Sequence, residues 1–277
     1  MTRLGGGYTE WGGITEESAE RTLRALEEFR AVIDKQGGVK EIFPVATSVV
    51  RRAANGERFT AEVRKRTGFD VSVVSGIEEA RLSLLGVLSV IEGDGPALVV
   101  DIGGGSTEFI AAATGEVAGA WSMEMGVVHL TEDHINSDPP LAEELRGMEG
   151  EIEAVIESLK GAMREEGDGG EGGTTLIGTA GTITTLAAID MALDSYDREK
   201  INNYILTRTA VEKIYRELSA MTMKERGEVL SLEKGREDLI VPGAAIVLRT
   251  MDSFGFESMR VSDAGLLEGV IIDRAGH

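Results

Sequence analysis

Apolar positions recur along this chain at two spacings, and the switch between them outlines its organisation. Leu23, Leu26, Val32 and Ile33 share one face at helical spacing. Thr15 precedes them as a capping residue, Glu16 and Glu17 suit the first turn, and Gly37-Gly38 stop the run. The pattern then predicts a strand over Val39 to Ala46, a helix over Glu57 to Thr67 ended by Gly68, a strand over Asp70 to Val74 and a helix over Glu78 to Ile91. Strand and helix in alternation call for parallel pairing with crossover helices.

From Ala97 the rhythm changes. The apolar run Ala97 to Val100 delivers Asp101, then Gly103-Gly104-Gly105, Ser106, Thr107 and Glu108, and a second apolar run, Phe109 to Ala113, leads away. This is a hairpin whose next partner is Val117 to Met123. Three glycines at a tight turn leave backbone N–H groups uncovered, which suits them to phosphate oxygens. Asp101 at the strand end can hold a hydrated Mg²⁺, with Glu108 on the far side of the turn. A glycine-rich hairpin with incidental acids is the plainer alternative.

A long amphipathic helix follows over Leu141 to Glu165, then a glycine-rich connector, Gly167 to Gly173, and a short strand, Thr174 to Ile177. Gly178-Thr179-Ala180-Gly181-Thr182 turns into a helix over Ile183 to Ala192, so N–H groups and the helix dipole converge on a second phosphate or nucleotide site. Taken singly, that turn reads equally as a tight loop with Thr182 as N-cap. Helical pattern continues to Phe254, followed by a strand over Ser258 to Val261 and a final helix over Asp263 to Asp273.

The chain has 277 residues, of which 42% are hydrophobic, enough for one large or two ordinary domains. The absence of cysteine excludes disulfides, thiolate metal sites and a cysteine nucleophile. No apolar run reaches the ~18 residues of a membrane span, and a cytoplasmic protein is expected. A net charge of −20 argues against nucleic acid as partner. Against that trend, residues 51–66 carry Arg51, Arg52, Arg58, Arg64, Lys65 and Arg66 against Glu57 and Glu62, a local surplus of four positive charges. A polyanion would be received there, unless the run is a solvated helix face. His129 and His134 lack metal-ligand spacing and read as structural or surface residues; Trp11 and Trp121 read as packing.

With both glycine turns in place, the sequence resembles the exopolyphosphatase / guanosine pentaphosphate phosphohydrolase family (Ppx/GppA), in its short form. The matching segments include Thr2 to Gly5, Ala46-Thr47-Ser48 through Gly56, and Ser75-Gly76-Ile77-Glu78-Glu79-Ala80-Arg81-Leu82. They continue with Asp101 to Glu108, Met125 to Val128, Gly178 to Thr182 and Val261 to Leu266. The resemblance implies an α/β fold of two ribonuclease-H-like domains, of the actin, Hsp70 and acetate kinase superfamily, with a cleft between them. Residues 1–82 plus 262–277 would form the N-terminal domain and 83–261 the second. The family begins with a hairpin bearing an Asp-x-Gly-(Ser/Thr)-Asn loop, ahead of the segment matching Thr2 to Gly5. Since this chain opens after it, an N-terminal domain lacking its first strands is expected, with a late start codon as the expected reason.

The resemblance also implies the chemistry. Gly103, Gly104, Gly105, Ser106 and Thr107 would hold the phosphate, Arg51 would contact its oxygens, and Asp101 would sit near Mg²⁺, with K⁺ as a further cation. Glu79 is the expected water-activating carboxylate and Glu108 the second candidate; Gly178, Gly181 and Thr182 would form the second phosphate turn. The expected reaction releases terminal orthophosphate from inorganic polyphosphate or from the 5′ end of guanosine pentaphosphate, in a homodimer with neither nucleic acid nor membrane as partner. The alternatives are a small-molecule kinase of the same superfamily and a truncated, inactive polyphosphate- or nucleotide-binding protein.

Overall fold

The computed structural model describes residues 2–8, 12–93, 95–165 and 173–276. Trp11 and all of the expected glycine connector except Gly173 lie outside them. The chain divides into two compact units, Met1–Glu79 and Ala80–His277.

The first unit contains α1 (Glu16–Lys35), β1 (Val45–Ala46), α2 (Ser48–Arg52), α3 (Gly56–Thr67), β2 (Ser72–Val73) and the start of α4 (Gly76–Leu88). The Thr15 hydroxyl accepts the Ser18 N–H at 3.2 Å, so α1 starts where its cap predicts. Gly68, in the left-handed conformation at φ 74°, ends α3 as expected. Leu23, Phe59, Val63 and Phe69 form the centre of a small core. Arg66 on α3 ties the two helices together, donating to Glu27 at 2.7 Å and to Glu20 at 2.6 Å.

Both strands expected here shrink to two residues, a parallel pair with Val45 opposite Ser72 and Ala46 opposite Val73. A strand persists only where a neighbour offers ladder partners, and among the described residues β1 and β2 pair only with each other. Val39, Ile42 and Phe43, expected inside a strand, are exposed instead.

The second unit is built on β3 (Ala97–Ile102), β4 (Thr107–Ala113), β5 (Glu116–Met123), α5 (Val127–His134), α6 (Ala142–Glu165), β6 (Thr175–Thr179) and α7 (Ala180–Asp190). It continues with α8 (Arg198–Ile201), β7 (Ile205–Thr207), α9 (Arg208–Ser219), α10 (Met223–Arg226), α11 (Ile240–Phe254), β8 (Ser258–Val261) and α12 (Leu266–Ala275). Six strands form one sheet in the order β5-β4-β3-β6-β8-β7. β3, β4 and β5 make an antiparallel meander, while β6 runs parallel to β3 and β8 parallel to β6.

β3 is buried on both faces, which explains its unbroken apolar run. Leu98, Val100 and Ile102 join the core under α6, α7 and α11, and Val99 packs with Leu84 and Val87 of α4. β7 falls where helix was expected; three residues are too few to impose a strand period on the sequence. α7 starts at Ala180 with Thr179 as its N-cap, not at Thr182. Residues 262–277, expected with the N-terminal domain, fall in the second unit. There α12 crosses α4 closely enough that a Cβ on Gly86 would lie 1.9 Å from the Gly265 carbonyl oxygen.

Candidate active site

A polar row crosses the otherwise apolar sheet near the end of β3. Ser122 lies opposite Glu108, Glu108 opposite Asp101, and Asp101 opposite Thr179. Register partners share a face, so these four side chains stand side by side. One Glu108 carboxylate oxygen accepts the Ser106 hydroxyl at 2.6 Å and the Ser122 hydroxyl at 2.9 Å.

Between Asp101 and Glu108, the glycine turn closes through the Gly103 N–H on the Ser106 carbonyl at 2.9 Å. The Gly103 and Gly104 carbonyls accept the Val127 and Val128 N–H groups of α5, at 3.1 and 2.8 Å. In a trans peptide the N–H points opposite to the carbonyl. The Gly104 and Gly105 N–H groups are therefore turned away from α5, an arrangement open to an anion. Thr107, expected on the phosphate, is instead fully buried, its hydroxyl donating to the Met125 carbonyl.

The second glycine turn borders a cavity of about 470 Å³ lined by Asp101, Thr179, Gly181, Tyr196, Arg236 and Asp263, among others. Gly178 and Thr182 do not line it. Gly178 is packed under Met259, and Thr182 is buried against Gly243 of α11. Gly181 does border the cavity, and Arg236 lies directly on it: a Cβ there would sit 2.0 Å from a guanidinium nitrogen. Glu233 holds that guanidinium at 2.7 Å.

Opposite, the Tyr196 hydroxyl donates to Asp263; burial and this carboxylate push the phenol up to about 12. Arg198 bridges Asp263, at 2.8 Å, and Glu268. Burial works against ionisation of Glu268, but the Gly265 N–H and Arg198 hold its carboxyl below the usual range. Arg236, Tyr196 and Asp263 were not singled out from the sequence. Arg236 lies between α10 and α11, where no periodicity marks it. The one available signal for Asp263 was its position in the Val261 to Leu266 match.

In the first unit, Arg51 occupies the last turn of α2, just after β1, and one of its guanidinium nitrogens donates to Glu79 at 2.9 Å and to the Val74 carbonyl at 2.8 Å. Glu79 is buried at 8% exposure. Most of the basic run is paired with carboxylates. Arg66 is committed to Glu20 and Glu27, Lys65 lies 3.2 Å from Glu62, and Arg64 lies 3.4 Å from Asp70. His129 and His134 pair with Asp133 and Glu151. Trp121 is buried, as a packing residue would be.

The sequence profile of the Ppx/GppA phosphatase family matches residues 1–277. A relative, exopolyphosphatase 2 of Mycobacterium tuberculosis, is 32% identical over 286 residues, covering 100% of this chain and 88% of its own. Among solved structures, a Ppx/GppA family member of Aquifex aeolicus is 32% identical with a TM-score of 0.79, over 99% of this chain and 86% of its own. An exopolyphosphatase from Cytophaga hutchinsonii is 29% identical with a TM-score of 0.85, over the same shares. The mixed α/β fold is thus that of these solved structures, as expected from the motifs. With the whole chain matched and the glycine turn formed between its two carboxylates, the protein belongs to the Ppx/GppA phosphatase family.

Proposed function

We propose that this chain is a phosphohydrolase that releases terminal orthophosphate from inorganic polyphosphate, and that the 5′ γ-phosphate of guanosine pentaphosphate is accepted by the same chemistry. The observation that carries this reading is the orientation of the Gly103–Ser106 turn. Its Gly104 and Gly105 N–H groups are turned away from α5, between Asp101 and Glu108. Phosphoryl transfer to water needs little covalent help from a protein; it needs oxygens held in place, charge spread and a water oriented. The turn supplies donors for the oxygens. Water attacks the terminal phosphorus, the anhydride P–O bond breaks, and the shortened chain leaves with the electron pair.

The proton of the attacking water goes to a carboxylate. The family resemblance assigns this role to Glu79 and oxygen contact to Arg51, in the first unit. Glu108 is the candidate on the turn itself, where Ser106 and Ser122 fix one of its oxygens. Mg²⁺ is the expected cation. Among the described residues no group of three or more His, Cys, Asp or Glu forms a metal cage. None is required, because Mg²⁺ is held by one or two carboxylates with water and phosphate oxygens. Asp101, beside Glu108 in the sheet, fits that donor set and would hold it. Bound there, the cation would neutralise charge on the phosphate oxygens.

The test is orthophosphate release from long-chain polyphosphate and from guanosine pentaphosphate, with Mg²⁺ and no phosphoryl acceptor. Release from at least one substrate is expected, and Glu79→Gln should nearly abolish it. No release from either substrate overturns the hydrolase, and release only when an acceptor is phosphorylated would favour the kinase alternative. Full turnover in Glu79→Gln moves the base role to Glu108.

A further inference from the structure

We propose that Thr107 and Gly126 are positioning residues that aim the Gly103–Ser106 turn at phosphate, and that neither touches the substrate. The inference rests on reading that turn as the phosphate-receiving element, and it gives a purpose to the segment Met125 to Val128. The first two N–H groups of α5 donate to the Gly103 and Gly104 carbonyls. At a free helix end such N–H groups would receive an anion. Here they are committed to the turn, so α5 anchors the turn and is not itself a phosphate site.

The approach is close. A Cβ on Gly126 would lie 2.3 Å from the Gly104 carbonyl oxygen and 2.4 Å from the carbonyl carbons of Gly104 and Gly105. Gly126 has φ −110°, which any residue adopts, so the demand at this position is space and not conformation. The three nearest atoms are all backbone of the phosphate turn, so relief cannot come from a side chain rotating aside.

Thr107 fastens the same strap one residue earlier, at Met125. Its fully buried hydroxyl donates to the carbonyl of Met125, itself buried at 1% exposure. Removing that hydroxyl leaves a buried carbonyl without this donor and frees the residue before Gly126 to shift. The peptide planes of Gly104 and Gly105 would rotate with the strap, and their N–H groups would lose their aim.

Binding of inorganic triphosphate and of orthophosphate, followed by titration calorimetry, tests this separately from turnover. Thr107→Val keeps the shape and removes the donor; it should weaken triphosphate binding about tenfold or more, while the protein still unfolds cooperatively at a melting temperature only several degrees below the parent's. Thr107→Ser retains the hydroxyl and should restore affinity to within about threefold. Gly126→Ala should weaken triphosphate binding at least as much as Thr107→Val, and serves as the second variant if the valine protein does not fold. Where turnover is measured, kcat/KM should fall about 100-fold in both impaired variants, the scale of a 1 Å misplacement. Triphosphate affinity unchanged in Thr107→Val or Gly126→Ala, or a serine variant no better than valine, overturns the inference. Parent protein that binds neither anion overturns it too. Triphosphate binding without turnover would instead count against hydrolysis alone.

Discussion

At the residue scale, the candidate site is governed by which donors are already taken. Arg51 is committed to Glu79, Thr107 to Met125, and Ser106 and Ser122 to Glu108. Arg236 differs, since its guanidinium lies on the second glycine turn at the cavity wall, held by Glu233 and 23% exposed. A forked cation so held is suited to phosphate oxygens. If it binds a phosphate remote from the reacting one, it contributes equally to ground and transition states. Arg236→Gln is therefore expected to raise KM for polyphosphate about tenfold with kcat within about twofold of the parent. A fall in kcat at unchanged KM would mean that Arg236 acts on the transferred group itself.

At the scale of elements, α1 and α3 are joined by charged pairs as well as by their small shared core. Hydrogen bonds from Arg66, then Arg24, lower the Glu20 carboxyl below its usual 4.5, and Arg66 does the same for Glu27. Carboxylates lowered on folding stabilise the fold above their unfolded value; that contribution is lost as pH falls through the lowered folded values. Melting curves of the parent and Arg66→Ala should therefore differ most near neutral pH and converge well below about pH 4. A gap that persists in acid would assign the effect of Arg66 to packing of its stem. Carboxylate partners also occupy four basic side chains over residues 51–66, namely Arg51, Arg64, Lys65 and Arg66, which reduces the positive surplus that a polyanion would meet.

For the molecule as a whole, the net charge of −20 sets the terms on which a polyanion approaches. With the basic run largely neutralised, long-range repulsion dominates, and it is screened over ~8 Å at physiological salt. Raising ionic strength from about 0.01 M to about 0.15 M at fixed Mg²⁺ should lower KM for long-chain polyphosphate. A steep rise in KM over that range would instead reveal attraction through an open basic surface. Among the described residues no helix is long and apolar enough to cross a membrane.

Features written within a few neighbouring residues are legible in the sequence itself. Thr15 as cap, Gly68 as stop, the hairpin from Ala97 to Ala113 and the opposition of Asp101 and Glu108 all follow from local steric and hydrogen-bonding preferences. The two glycine turns, with matching segments from Thr2 to Leu266 that include Ser75 to Leu82, pointed to the family. Tertiary structure decided what those residues touch. It alone reduced two expected strands to the pair Val45–Ala46 and Ser72–Val73, because a strand's length depends on its partner's. It alone set Arg236 on Gly181 and buried Gly178 and Thr182 in the core. It also turned the Thr107 hydroxyl to Met125 and away from phosphate. Hydrophobic period and turn chemistry act over one or two turns of chain, whereas the allocation of donors is a competition among groups that only folding brings within 3 Å of one another.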